Sequence, residues 1–221
     1  MLIGTIICTI MLMAASCNGL KKDDANFDGY IIKGQFKNLA AETKLFLEKI
    51  DTRSAVVIDT AVADKSGNFE FKGKVANKGL GRIRVGMGQQ SYMIVLDNTK
   101  MEIGGDIADL NNYNVKGSPE SEGIRNFAIP VRTGQANPDW IKAYIDTVKS
   151  PLLAYLACNH LQIESDFETF EKVSARLMKE VPTSTYASDF KSFVDSKKGL
   201  MNLSVGKTPP DLKGKSPSGK E

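Results

Sequence analysis

The sequence has little of what most enzyme centres are built from. Its 221 residues include one histidine, His160, and three cysteines, Cys8, Cys17 and Cys158. With no second nitrogen or thiolate near His160 in sequence, zinc ligation is not expected. No nucleophile-elbow sequence accompanies that histidine. Charge of one sign is also lacking. The 29 basic and 26 acidic residues leave a net +3, which makes no case for nucleic acid as a partner. The basic stretch Lys207–Lys220 is rich in Pro, Gly and Ser and reads as a solvated tail. The uncharged run 2–15 falls short of the ~20 apolar residues that a spanning helix needs.

That run fits the apolar core of a signal peptide, which places the chain outside the cytoplasm. Ala14, Ala15 and Ser16 follow, then Cys17. This order resembles the lipobox of bacterial lipoproteins, in which the thiol after the small residues receives a diacylglycerol. The resemblance implies lipid attachment at Cys17 and a membrane as partner, on the periplasmic side or at the outer-membrane surface. Each buried CH₂ contributes about 0.8 kcal/mol, and a single acyl chain binds only reversibly, so two or three chains on one residue make a stable anchor. Asn18–Asp28 is polar and reads as a tether. With Cys8 removed and Cys17 acylated, Cys158 is left alone and no internal disulfide is expected. It lies in the apolar helical stretch Leu152–Leu161, where a buried, inert thiol is the expected state.

Between residues 29 and 117 the pattern has short periods. Tyr30, Ile32 and Phe36 mark a first strand, Leu45 and Leu47 a second, and Val56 to Val62 a third. Lys65-Ser66-Gly67-Asn68 is a tight turn leading to Phe69 and Phe71, which together with the third strand predicts a hairpin. Ile83 and Val85 alternate with Arg82 and Arg84. Tyr92–Leu96 is a continuous apolar run, as in a buried strand. Met101 and Ile103 follow the turn at Asp97-Asn98, and Tyr113 and Val115 end the series. Seven or eight short strands with no helical pattern between them predict an antiparallel β-sandwich or barrel. Gly86-Met87-Gly88 precedes a strand rather than a helix, so it reads as a bend and not as a phosphate-cradling loop.

From residue 118 the punctuation changes. Ser118-Pro119, Asn137-Pro138 and Ser150-Pro151 each set a capping side chain before a proline, and Ser165–Glu168 has capping-box spacing. Phe167, Phe170, Val173, Leu177 and Val181 recur at helical spacing up to Pro182. A last helix carries Tyr186, Phe190, Phe193 and Val194, with Gly199 as its stop. Glu164, Asp166 and Glu168 sit in a first helical turn, where the macrodipole favours negative charge, so they read as helix-end residues rather than metal ligands. Trp140 and Tyr144, four apart, share a helix face. Strands first and helices second define an α+β fold with a small helical subdomain.

Val205-Gly206-Lys207-Thr208-Pro209-Pro210-Asp211-Leu212 resembles the opening of thioredoxin-like domains of the peroxiredoxin and TlpA/ResA type. Together with the lipobox, the Gly29–Lys33 strand and the residue 150–199 helices, it makes the chain similar to the N-terminal region of Bacteroidetes thiol-disulfide lipoproteins. The resemblance implies a region of unknown function in front of a thioredoxin-like domain, with Pro210 and Leu212 departing from the usual pattern. The family's Cys-x-x-Cys helix is absent from these residues.

The expected organisation is therefore a signal peptide over 1–16, a lipidated tether over 17–28, a β-rich domain over 29–117 and a helical segment over 118–203. Residues 204–221 then begin a thioredoxin-like domain or form a tail. The expected role is a non-catalytic envelope module for anchoring, homodimerisation or docking of a thioredoxin-like partner, with no cofactor, no metal and no catalytic residue. A stand-alone binding lipoprotein is the alternative.

Overall fold

The computed structural model of the protein describes residues 27–88 and 90–202. Eight strands come first: β1 (Tyr30–Lys37), β2 (Lys44–Ile50), β3 (Ala55–Val62), β4 (Asn68–Gly73), β5 (Gly79–Val85), β6 (Ser91–Leu96), β7 (Lys100–Asp106) and β8 (Asp109–Lys116). Five helices follow: α1 (Pro119–Arg132), α2 (Pro138–Thr147), α3 (Pro151–Cys158), α4 (Phe167–Glu180) and α5 (Thr185–Asn202). The fold is α+β, as the residue pattern predicts. The positions of Cys17 and of Val205–Leu212 lie outside the described residues.

The strands form two four-stranded sheets, in the orders β4-β1-β7-β8 and β3-β2-β5-β6. This is a sandwich, not a barrel. All strand pairs are antiparallel except β1 with β7, which run parallel through register pairs such as Ile32 with Met101. The expected hairpin between β3 and β4 does not exist as a paired ladder. β3 pairs with β2, β4 pairs with β1, and the Asp64–Asn68 turn carries the chain from one sheet to the other. The Asp64 carboxylate holds that turn by accepting from the Ser66 and Asn68 amides at 2.7 and 2.9 Å. Gly67 sits there at φ 75°, and an added Cβ would come within 2.1 Å of the Phe36 carbonyl oxygen. Only glycine satisfies both constraints.

The core between the sheets comes from the inward row of each strand. Ile32, Phe36, Leu45, Leu47, Phe71, Ile83, Ile94 and Met101 are all buried. An aromatic run crosses it: Phe69 stacks on Phe36 at 5.6 Å, Phe36 on Tyr92 at 4.6 Å, and Tyr92 meets Tyr113 edge-on at 5.1 Å. Such contacts add about 0.5–1.5 kcal/mol each beyond the area they bury. The Tyr92 hydroxyl is buried with no hydrogen-bond partner among the described residues, and burial pushes its pKa up to about 12.

A sandwich has two open sides, and helix α1 closes one of them. It lies against both β6 and β8, the terminal strands of the two sheets. Ser118 caps it by accepting from the Ser121 amide, with Pro119 in the first turn. Ser121, fully buried, accepts from the Val95 amide at 3.0 Å and donates to the Val95 carbonyl at 3.3 Å. Ser118 Oγ donates to the same hydroxyl at 2.9 Å. One side chain thus satisfies both backbone groups of an edge residue that would otherwise be left without strand partners. Toward β8, Arg125 Nε donates to the Tyr113 carbonyl at 2.9 Å. On the other side, β3 keeps exposed β-branched side chains: Val56 57%, Val57 47%, Ile58 38% and Val62 48% exposed.

The remaining helices form a core of their own with Phe127 of α1, from Ile145, Ala157, Phe170, Leu177 and Phe190. A third cluster, including Leu80, Val95, Leu153 and Tyr186, joins it to the outer face of the β5–β6 sheet. This explains the unbroken apolar run of β6. Tyr92, Ile94 and Leu96 face the sandwich core, while Val95 and Met93 meet the helices. The Tyr186 hydroxyl accepts from the Leu80 amide at 3.1 Å and donates to the Ile50 carbonyl, at the end of the β2–β5 ladder.

Three helix-end expectations are corrected. α5 runs through Gly199 to Asn202. Ser150 does not cap α3 with its side chain; its hydroxyl donates to Glu120 instead. At α4 the cap position falls on Asp166, so Ser165 and Glu168 lie one position out of phase for a capping box, and Ser165 bonds Gln162 and Asp166.

Ser121→Ala removes the hydroxyl and strands the Val95 amide and carbonyl in a buried setting. Unfolding by urea is expected to show a loss of about 1–3 kcal/mol. An unchanged midpoint would contradict the role given to Ser121.

Candidate functional site

Closing the sandwich leaves a cleft on its flank. The C-terminal half of α1, the outer face of β6, Tyr113 of β8 and helices α2 and α3 enclose about 220 Å³. Met93, Ile124, Phe127, Leu153 and Leu156 supply apolar walls, while Ser91, Arg132, Asn159 and His160 supply polar groups. Phe127 is the hub. It lies 4.8 Å from Tyr144, 5.8 Å from Trp140 and 5.4 Å from the His160 ring. Trp140 and Tyr144 do share a helix face and stack at 5.7 Å. Burial raises the Tyr144 pKa to about 12 and lowers that of His160, so both rings are neutral at pH 7. Arg132 donates from Nε to Asn111 Oδ1 at 3.0 Å and lies 5.8 Å from the Tyr113 ring centre. Among the described residues no Asp or Glu lines this cleft.

A second, larger cavity of about 450 Å³ lies between α3, α5 and the loop after β2. It is more open, and its charged groups are already engaged. Lys197 pairs with Glu164 at 3.1 Å, and Thr52 donates to Asp189. The smaller cleft is the better candidate because it is more enclosed and its few polar groups border an apolar interior.

The residues singled out from sequence fall in separate places. Glu164, Asp166 and Glu168 do not converge: their lysine partners are Lys197, Lys142 and Lys172 respectively. Among the described residues no group of three or more His, Cys, Asp or Glu is placed to hold a metal ion. Cys158 is fully buried on α3, and burial pushes its pKa up to about 12. Such a thiol supplies almost no thiolate at neutral pH. Gly86-Met87-Gly88 forms the β5–β6 turn, with Gly86 at φ 59°.

Sequence reasoning missed two features. Arg132 carried no signal in the linear pattern, and nothing there placed it beside Tyr113 and in one cleft with His160. Glu48 alternates with the inward Leu45 and Leu47 of β2, a pattern that points its side chain to solvent, yet it is 4% exposed and clamped between Arg82 Nε and Arg84 Nε, each at 2.7 Å. The Arg84 guanidinium also covers the Phe46 ring at 4.4 Å. The Arg-x-Arg spacing on β5 was visible, but the cross-strand register that inserts Glu48 was not. The arrangement ties β2 to β5 and exposes no reactive group.

Residues 30–123 match the family model described as "Domain of unknown function (DUF4369)". The match spans the eight strands and the first turn of α1. No curated protein matches the chain. A solved structure, "Crystal structure of (S)-allantoin synthase", is similar at 10% identity with a TM-score of 0.30. The likeness covers 41% of this chain and 43% of that one, so the chain spans less than half of that structure, and so low a score supports no argument. Among the described residues no helix is long and apolar enough to cross a membrane.

Two outcomes follow from these environments. Cys158 in the folded protein is expected to resist alkylation by iodoacetamide at pH 8 and to react once the chain is unfolded in urea; rapid native labelling would contradict its burial. For Glu48, burial opposes ionisation, but the hydrogen bonds and charges of Arg84 and Arg82 outweigh it and hold the folded pKa below its ordinary value of 4.5. The clamp therefore stabilises the fold above about pH 4.5 and is lost as pH falls through the lowered folded value. Glu48→Gln is expected to flatten the acid limb of a stability–pH curve. An unaltered limb would show that the carboxylate's charge is not what the clamp uses.

Proposed function

We propose that this chain is an exported envelope lipoprotein, lipidated at Cys17, whose α+β region is a non-catalytic module for a thioredoxin-like thiol-disulfide domain. The module anchors that domain, dimerises or docks its partner. The observation that carries the reading is the state of Cys158. Disulfide exchange needs an accessible thiolate of low pKa, and the one thiol among the described residues is sealed in a helical core. Any thiol chemistry must then come from a domain or partner outside residues 27–202. The pattern at Val205–Leu212 supports a thioredoxin-like identity for it, and the exposed β-branched row of β3 offers a surface for contact.

The test is recovery of the full chain from bacterial envelopes after labelling with a palmitate analogue. Label on the wild type and none on Cys17→Ala is expected, with a Cys-x-x-Cys protein or domain recovered in covalent or stable association. An unlabelled chain, or one reproducibly recovered without a redox partner, would contradict the corresponding half of the proposal.

One observation favours a second reading, a stand-alone binding lipoprotein. The α1 cleft is enclosed and apolar, and carries polar groups at its edge. A module needed only for spacing has no use for such a cleft.

A further inference from the structure

We propose that the α1 cleft binds a small uncharged molecule, a single-ring or branched aliphatic body carrying one hydroxyl or carbonyl group. This rests on the binding reading above and adds the ligand class. The cleft is framed so that it stays open. At Gly123 helix α1 already touches α3, and an added Cβ there would lie 2.4 Å from Leu153 Cδ2. Phe127 and Leu156, one turn away from those two residues along their helices, line the cleft. The helices cannot fill the space by moving together, because the contact at Gly123 is already close-packed.

Size sets the first limit on the ligand. About 220 Å³ exceeds the ~150 Å³ of a cavity that accepts benzene and falls below the ~300 Å³ at which drug-sized pockets begin. One ring with a short substituent fits, and a second ring does not. Wall chemistry sets the second. Phe127, Leu153 and Leu156 offer only apolar surface, and Met93 adds an adaptable thioether. The ligand's body is therefore apolar.

Charge sets the third. Arg132 is the one permanently charged residue among those lining the cleft, and it is already engaged. Its Nε donates to Asn111 at 3.0 Å, and it hydrogen-bonds Tyr113, whose ring centre lies 5.8 Å away. An anionic ligand would have to compete with these partners. A cationic one would meet Arg132, with no carboxylate lining the cleft among the described residues. Either would also give up hydration to apolar walls. An uncharged ligand avoids all three costs. Its one polar group finds partners at the mouth, where Asn159 and His160 are exposed. The Asn159 amide offers donors and an acceptor, and the neutral His160 ring offers one of each. That ring stands edge-on to Phe127 at 5.4 Å, so the polar groups border the apolar floor directly.

The experiment is titration of the full chain with benzyl alcohol, benzoate and benzylamine, followed by NMR shifts of the methionine methyl groups and by calorimetry. It is run on wild type and on Ala128→Leu and Val131→Phe, which enlarge two half-buried residues of the cleft wall. Thermal unfolding of each variant checks that it folds, and the comparison of the three probes on wild type needs no variant. Benzyl alcohol is expected to bind with a shift at Met93, and benzoate and benzylamine to bind about tenfold or more weakly. Either folded variant should abolish the Met93 shift. Benzoate or benzylamine binding as tightly as benzyl alcohol would overturn the uncharged assignment and leave the binding cleft standing. A Met93 shift that survives in both folded variants would place the ligand elsewhere and overturn the proposal. If none of the three probes moves Met93 at millimolar concentration, the cleft is not a ligand site and both readings fall together.

Discussion

Every β-sandwich must dispose of four edge strands, and here the disposal of β6 and β8 organises the rest of the molecule. Val95 would present an unpaired amide and carbonyl at the rim of a buried surface. The Ser121 hydroxyl engages both, and itself accepts from Ser118. A hydroxyl has one donor and two acceptor positions, and all three are used. Because this exchange is buried, losing it costs more than forming an average hydrogen bond gains. Helix α1 is thereby fixed against both sheets, with Arg125 holding the β8 side.

The orientation of α1 then determines where the helical subdomain sits. Ile124 faces the joint cluster with Leu80, Val95 and Leu153, while Phe127, one turn on, belongs to the helical core. Tyr186 makes a second attachment at the end of the β2–β5 ladder. Between these two attachments the helices cover part of the outer sheet face, and the cleft beside Met93 is the space they leave. The opposite flank has no such cover. β3 displays Val56, Val57 and Val62 to solvent, a surface that natural edge strands usually blunt with charge.

Much of this architecture was legible in the residue order. Inward rows such as Leu45 and Leu47 and the proline-headed helices at Pro119 and Pro138 follow from local periodicity and capping, which act within a few residues. What was not legible depends on register between distant segments. The turn at Asp64–Asn68 looks the same whether it joins a hairpin or crosses between sheets, so the β3–β4 pairing was misread. The parallel β1–β7 pair, the insertion of Glu48 between Arg82 and Arg84, and the approach of Arg132 to Tyr113 are all long-range. Ser121 carried no signal, because a serine two residues after a proline reads as a solvated first-turn residue. Gly199 failed as a stop because a glycine inside a helix costs only about 1 kcal/mol, which the flanking turns of α5 absorb. The lipid site at Cys17 and the thioredoxin-like pattern at Val205–Leu212 are sequence readings alone.

The closure of the sandwich by α1 is tested most directly by amide hydrogen exchange at Val95 in the intact protein. If Ser121 holds that edge, the Val95 amide exchanges as slowly as the amides of the central strand β5, through global unfolding. If it exchanges as quickly as amides at the exposed edge of β3, the helix is only resting on the sheets, and the account of what joins the two halves of the molecule is wrong.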